Sequence, residues 1–500
     1  MIGKQIIDDC LSTKNGHLFM DEYDVMNLIN KFGSPLFVIS ENQLRRNIKR
    51  FQNGFQKGWT DGPVKILPAA KANWILAVQK IIASEGCGCD IYSPGEFDIA
   101  LRAEFDPQHI SVNGVPKDEA HIYNAIKHGA RITIDGVEEI DFVEKGAREL
   151  GVVAKVRLRL KPALPGFTRH SDFAANGLVS TDIAAMAYKG GLPFDQVVAI
   201  GKRIMKSRLV ELTGFHQHHG RHDRSTDYWE EQMRAYAAEI GKVCNALGGF
   251  QPSEIDIGGG FACPRDPFNA GTKYSDPLLL LILHAISKGL KILGNVERYK
   301  ILSRLIEKAD VSFPNQKKAP SIEEYGEACT STLMSELPKH GINTKGLMLQ
   351  VEPGRSLHAD AGIHLTTVRN IKRMKKPLKW NHLILDTTEF WFTGGRLEHH
   401  LHDYLFANKT DAPLNDKADI IGRSCYGDRL IPAVPVPGNV KVGDIMAVLD
   451  TGAYQEVSMS NFNAMPRPAT LLVTGDSVSV IRKAETLDDV FRRDHVPEHL

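Results

Sequence analysis

Apolar runs alternate with stretches of helical periodicity along most of this chain. Strand-like runs fall at 64–70, 87–92, 110–112, 131–135, 153–160, 210–217, 254–257 and 347–351. Between most of them, apolar positions recur three and four residues apart, over 74–84, 95–103, 117–128, 137–150, 193–206 and 226–247. That spacing lines one face of a helix. About eight strands alternating with helices are what a (β/α)8, TIM-like barrel of the α/β class requires; a doubly wound sheet is the alternative. Upstream, Gly33-Ser34-Pro35 signals a turn, 36–39 reads as a strand and 41–57 as a helix. After Pro353-Gly354-Arg355 the pattern changes to short β-branched runs, such as 382–386, 445–450 and 470–481, broken by Gly and Pro. The expected organisation is an N-terminal segment, 1–34, packing with the β domain; a barrel over 35–360; and a C-terminal antiparallel β domain over 361–500. Residues 266–318 interrupt the barrel pattern as an insertion, which either packs on the outside or serves as a lid or dimer contact.

Composition narrows the class. Five hundred residues exceed one compact core. Lys+Arg 61 against Asp+Glu 60, net +1, argues against a chain that binds nucleic acid or a membrane surface by charge. Seven cysteines, an odd number spread over the chain, point to reduced thiols in a cytoplasm. Acidic residues stand at the start where a signal peptide would have its apolar core, and the longest apolar stretch, 278–286, is too short to span a bilayer.

Chemistry enters at the predicted strand ends. The run Ile66 to Ala70 delivers one lysine, Lys71, before a helical stretch. A desolvated lysine at the carboxyl end of a barrel strand is a candidate Schiff-base nucleophile; a lysine that snorkels to the surface is the plainer use. Phe215-His216-Gln217-His218-His219-Gly220-Arg221-His222 holds four histidines. They suggest metal, but no acid or cysteine nearby completes a ligand set, and no metal is expected; a ring stacked on an aromatic cofactor is an equal use. Asp256-Ile257-Gly258-Gly259-Gly260 lets backbone N–H groups approach an anion, although a plain glycine turn has the same sequence. Glu352-Pro353-Gly354-Arg355 offers either an ion pair or separate holds on a ring nitrogen and a phosphate. Cys425, in the loop Gly422–Asp428, is a packing residue or a proton donor.

Together these motifs resemble the fold-type III pyridoxal-phosphate decarboxylases, which include diaminopimelate and ornithine decarboxylases. The resemblance runs from about Phe32 to Val473, apart from the insertion. It rests on Ala70-Lys71-Ala72-Asn73, Gly258-Gly259-Gly260, Glu352-Pro353-Gly354-Arg355, Cys425, Asp450-Thr451-Gly452-Ala453-Tyr454 and Met459-Ser460-Asn461-Phe462-Asn463. Lys71-Ala72-Asn73 is closer to the diaminopimelate branch. The resemblance implies pyridoxal 5'-phosphate as cofactor, amino-acid decarboxylation as activity and a homodimer with shared sites. It implies that Lys71 carries the Schiff base and that His218 stacks on the ring. Gly258, Gly259, Gly260, Arg355 and Tyr454 would hold the phosphate, Glu352 the pyridine nitrogen, with Asp90 and Glu96 near the ring. Cys425 of a second subunit would protonate the carbon that loses CO2.

The distal pocket departs from that pattern. Where diaminopimelate decarboxylases resemble Cys-Glu-Ser-Gly-Asp, this chain reads Cys425-Tyr426-Gly427-Asp428, without a counterpart of the glutamate that meets the distal amine. An Arg-Pro-Ala-Leu-Tyr stretch is replaced by Glu389-Phe390-Trp391-Phe392-Thr393-Gly394-Gly395-Arg396. Arg221, Arg396, Tyr426 and Asp428 are therefore the candidate substrate contacts. The reaction class carries over more firmly than the substrate: diaminopimelate, a related amino acid, or a carboxylate-bearing conjugate as in siderophore assembly all remain open. An amino-acid racemase is a further alternative, against which Glu352 and Cys425 argue; a non-catalytic relative is another, against which Lys71 and Cys425 argue.

Overall fold

The computed structural model describes residues 9–161, 189–218, 225–263, 286, 319–375, 380–392 and 402–500. Apart from residue 286, the insertion at 266–318 lies outside them, as do Arg221 and Arg396. The described residues form two units, one from Gln43–Cys263 with Ala319–Ala359, the other from residues up to Asn42 and from Asp360 onward.

The second unit opens with a small antiparallel sheet, β1 Leu11–Lys14, β2 His17–Met20 and β3 Tyr23–Asp24. Strand β4, Leu36–Ser40, is wholly buried. It pairs with two strands from beyond the barrel, antiparallel to one and parallel to the other.

The first unit is a barrel of eight parallel strands: β5 Val64–Ile66, β6 Cys89–Ile91, β7 Ile110–Val112, β8 Arg131–Ile134, β9 Ala154–Arg159, β10 Val210–His216, β11 Glu254–Asp256 and β12 Met348–Val351. Their order runs β5-β12-β11-β10-β9-β8-β7-β6. The amides of Gly88 and Asp90 donate to the carbonyls of Ile66 and Pro68, at 2.9 and 3.2 Å, and a bridge between Ala69 and Asp90 completes the closure. The helices start where caps are available. Ser93 caps Pro94–Arg102, Asp118 caps Glu119–His128 and Ser225 caps Thr226–Ala246, each filling an end amide that has no partner within its helix. Outside the strands, Phe261 stacks on Trp229 at 4.4 Å and meets Phe51, Phe55 and Tyr325. This aromatic cluster joins the helices Glu41–Gly58, Thr226–Ala246 and Ile322–Glu336.

The remaining strands are β13 Gly362–Met374, β14 Trp380–Leu385, β15 Tyr404–Phe406, β16 Asp416–Ile421, β17 Arg429–Val436, β18 Ile445–Val448, β19 Ala469–Thr474 and β20 Ser477–Arg482. Their sheet is mostly antiparallel, as expected, but β4 with β19 and β14 with β16 are parallel pairs. Val38, Ile363, Leu365, Ala447, Leu471 and Val473 share one apolar core here; Leu383, Ile420, Val434 and Met446 share another.

Candidate active site

A polar residue lies at or shortly beyond the end of every barrel strand. Lys71 follows β5, Asp90 lies in β6, Asn113 follows β7 and Asp135 follows β8; Arg159, His216 and Asp256 end β9, β10 and β11, and Glu352 follows β12. Barrel chemistry gathers at this face because eight strand ends converge there. A cavity of about 270 Å³ opens there, lined by Lys71, Asp90, Asn113, His216, His218 and Glu352 among others.

Lys71 does not sit on a strand end as expected. The strand stops at Ile66, and Lys71 lies in a single 3-10 turn, Ala70–Ala72. Pro68 lacks the N–H that would continue the ladder. The backbone still follows β12, with Leu67 and Ala69 amides donating to Val351 and Pro353 carbonyls at 2.8 and 3.1 Å. The Lys71 side chain is 42% exposed, which corrects the expectation of a desolvated lysine; what steers it is Asp90, whose carboxylate is 3.7 Å from Nζ.

Glu352 is buried at the other side of the pocket. Its Oε1 accepts from Asn113 Nδ2 at 2.5 Å, and its Oε2 lies 3.2 Å from His216 Nε2. Asn113 Nδ2 also donates to Asp90 Oδ1 at 2.8 Å, so one amide bridges the two acids. Burial first, then the neighbouring Asp90, pushes the Glu352 carboxyl up to about 7. Asp256 is likewise pushed up to about 7, by burial and by Glu352. Burial drives His216 down to about 3, so it is neutral at ordinary pH. Ligand atoms of His216, Asp256 and Glu352 lie within 4.8 Å of one another, the spacing of a metal site. A fixed cation is already there: Arg157 Nη1 donates to Asp256 Oδ2 at 2.7 Å.

The glycine loop behaves differently from the expected anion cradle. The Gly258 amide donates to Asp256 Oδ1 at 2.9 Å and the Gly259 amide to His218 Nδ1 at 3.2 Å. Two of the three N–H groups are thus directed at side chains, and one of them tethers the His218 ring. Gly258 and Gly260 have φ of +69° and +103°, which L side chains rarely adopt. A Cβ on Gly259 would fall 2.0 Å from the Glu352 carbonyl oxygen, so only glycine allows the loop to pass β12 so closely. Arg355 is buried at the start of the short helix Arg355–His358. Glu96 does not line the cavity. It accepts from the Tyr92 amide at 2.5 Å as part of the cap of Pro94–Arg102, and burial raises its pKa.

In the other unit, Cys425 is exposed. Asn463 holds it from both ends: its Oδ1 accepts from the Cys425 amide at 3.0 Å, and its Nδ2 lies 3.1 Å from Sγ. Tyr426 is 55% exposed and meets Phe390 edge-on at 5.9 Å; Phe390 stacks on Phe462 at 4.0 Å. Asp428 is buried rather than open to a substrate. Its carboxylate accepts from the amides of Ser424 and Glu389, at 2.7 and 2.6 Å, and closes the loop. Tyr454 adopts φ +65°, and its carbonyl accepts from the Ser458 hydroxyl.

Sequence reasoning missed Asn113, Arg157, His216 and Asp256 as a group. One signal was available: two arginines, Arg157 and Arg159, on the same face of the apolar run 153–160.

The pocket fits pyridoxal phosphate. It has an amine, Lys71, for an aldehyde and a buried acid, Glu352, for a ring nitrogen, with an imidazole, His218, in the same lining. A family model described as pyridoxal-dependent decarboxylase, pyridoxal binding domain, matches residues 41–288. The chain is 26% identical to a diaminopimelate decarboxylase of Methanocaldococcus jannaschii, over 99% of this chain and 98% of that one. It is 26% identical to the diaminopimelate decarboxylase of Archaeoglobus fulgidus, over 98% and 99%. The crystal structure of the M. jannaschii enzyme in co-complex with L-lysine superposes with a TM-score of 0.80 at 25% identity, covering 99% of this chain and 100% of that one.

Proposed function

Because this chain belongs to the fold-type III pyridoxal-dependent decarboxylases, diaminopimelate branch, and is a pyridoxal-phosphate-dependent amino-acid decarboxylase, we propose that its substrate is diaminopimelate and that L-lysine is its product. Likeness over essentially the whole chain to diaminopimelate decarboxylases carries this reading, together with the co-complex of one of them with L-lysine, which is diaminopimelate less one CO2. It favours diaminopimelate over a conjugated amino acid, racemisation or a non-catalytic role.

Bound pyridoxal phosphate supplies an aldehyde for an amine and a ring that accepts electrons. The chain's residues do the rest. Lys71 would hold the aldehyde carbon. Asp90, 3.7 Å from Nζ, keeps that amine turned to the pocket. Glu352 would hold the ring nitrogen and keep it protonated, and a positive ring nitrogen would in turn relieve the penalty that burial and Asp90 place on the Glu352 charge. His218, tethered by the Gly259 amide, would stack on the ring. Gly260, whose amide is not directed at those side chains, and Arg355 would hold the phosphate, while Glu96 acts by ordering the backbone beside Asp90. Cys425 of a second copy delivers the proton to the carbon that loses CO2, so the working form is a homodimer. Tyr426 would meet the distal end of the substrate; Asp428 shapes the loop instead. The reaction belongs in the cytoplasm.

The test is CO2 release from meso-diaminopimelate by purified protein with pyridoxal phosphate. Rapid release with L-lysine formation is expected. Release from another amino acid in a panel, but none from diaminopimelate, would overturn the substrate assignment and leave the reaction class standing.

A further inference from the structure

Beneath the cofactor pocket, the barrel interior holds an arginine that the reaction described above does not use. Arg157, on β9, is completely buried. Its Nη1 donates to Asp256 Oδ2 at 2.7 Å and also to Gln350 Oε1; its Nη2 donates to Thr133 Oγ1 at 3.1 Å and to Ser111 Oγ. An arginine buried to this degree is costly unless its partners are well matched, and here both terminal nitrogens are engaged.

We propose that Arg157 is a positioning residue for the ring nitrogen, acting on Glu352 through Ser111 and Asn113 on one side and Asp256 on the other. The inference rests on the assignment of Glu352 to that nitrogen. The hydrogen-bond directions argue for it. Arg157 can only donate. Ser111 Oγ accepts from it and therefore turns its own proton to Asn113 Oδ1, 3.0 Å away. That contact fixes the Asn113 amide with its NH2 toward Asp90 Oδ1 and Glu352 Oε1, at 2.8 and 2.5 Å. An NH2 group in that place favours both acids as acceptors, hence ionised. Charge points the same way. Asp256 and Glu352 lie within the 4.8 Å cluster with His216, and Asp90 shares the Asn113 amide with Glu352. Three acids so close in a dry interior cannot all stay ionised without a cation. Of the cations that face this group, Lys71, 3.7 Å from Asp90, is the amine for the cofactor aldehyde and Arg159 pairs with Asp135 at 2.9 Å, while Arg157 stands against it from below, 2.7 Å from Asp256. Without it, Glu352 takes a proton and no longer holds a charged ring nitrogen.

The experiment loads wild type and Arg157→Met with pyridoxal phosphate labelled with 15N in the ring, and follows the nitrogen chemical shift against pH. Wild type is expected to keep the protonated shift across the neutral range. In Arg157→Met the change to the unprotonated shift is expected at least about one pH unit lower, a tenfold change in that equilibrium, with kcat reduced about tenfold and KM nearly unchanged. Arg157→Lys should recover part of the shift. If Arg157→Met does not fold, Ser111→Ala breaks the relay without removing charge and should move the nitrogen in the same direction by less. A protonated wild type with an identical shift in a folded Arg157→Met, or in Ser111→Ala where that variant alone folds, overturns the proposal. An unprotonated wild-type nitrogen overturns the Glu352 assignment and this inference with it.

Discussion

The barrel pocket and the Cys425 loop solve opposite problems. In the pocket, Asp90, Asn113, Arg157, His216, Asp256 and Glu352 are all buried, and each bonds to another member of the group. In the loop, Cys425 and Tyr426 are exposed, and the ties to the body include Asp428 and Asn463, which accept from backbone amides. A matched interior cannot change one member without stranding another. A loop pinned through its backbone can exchange side chains freely. Hence the motifs that meet in the pocket match the family pattern, while the loop that follows Cys425 lacks the family's distal glutamate.

The comparison can be broken at four places, taken from the largest expected effect to the smallest. Lys71→Ala should abolish turnover and leave no cofactor bound through a lysine; residual activity above background would remove the lysine from the chemistry. Glu352→Gln should lower kcat about 10²- to 10³-fold, as loss of one preorganised electrostatic partner does. The same variant has a pH signature in the cofactor-free protein. The folded Glu352 carboxyl titrates near about 7, above the ordinary 4.5, so the folded state retains its proton where the unfolded state has lost it. Its contribution to stability is therefore present below about 4.5 and lost as pH rises to about 7, up to roughly 3 kcal/mol at 1.36 kcal/mol per pKa unit. Thermal unfolding should show Glu352→Gln gaining on wild type through that window; a gap that does not vary with pH would mean the acid is not strained. Cys425→Ala should reduce kcat about 10²-fold, the lower end of general acid–base contributions, with cofactor absorbance and melting temperature unchanged. Unchanged turnover would show that the exposed loop takes no part in proton delivery. Gly259→Ala should cost about 1–3 kcal/mol of stability, the range for overpacking, because its Cβ meets the Glu352 carbonyl oxygen at 2.0 Å; differential scanning calorimetry would measure it.

Much of the barrel is legible in the sequence because its signals are local. The helix expected over 193–206 is Phe194–Lys206 and that over 226–247 is Thr226–Ala246, since Pro193 and Ser225 mark their starts. Strand β4 is different: five buried residues read alike in either sheet, and only long-range pairing puts them beside β13 and β19. For the site, Lys71 and Glu352 were legible because each is a lone charge beside an apolar run. His216 was legible as a histidine but not as the neutral neighbour of Glu352, because that role depends on burial and on a residue 136 positions away. Asn113 has no local mark at all; its importance comes from standing between two acids carried by other strands. Asp428 looked like a substrate contact because a loop carboxylate is usually exposed, yet it points inward to close its own turn.

Borohydride reduction of the cofactor-loaded protein, followed by peptide mapping, tests the central claim most directly. Among the described residues, two lysines line the pocket, Lys71 and Lys189. The account predicts the reduced cofactor on the peptide carrying Lys71. A label on Lys189, or on any lysine outside the pocket, would contradict it.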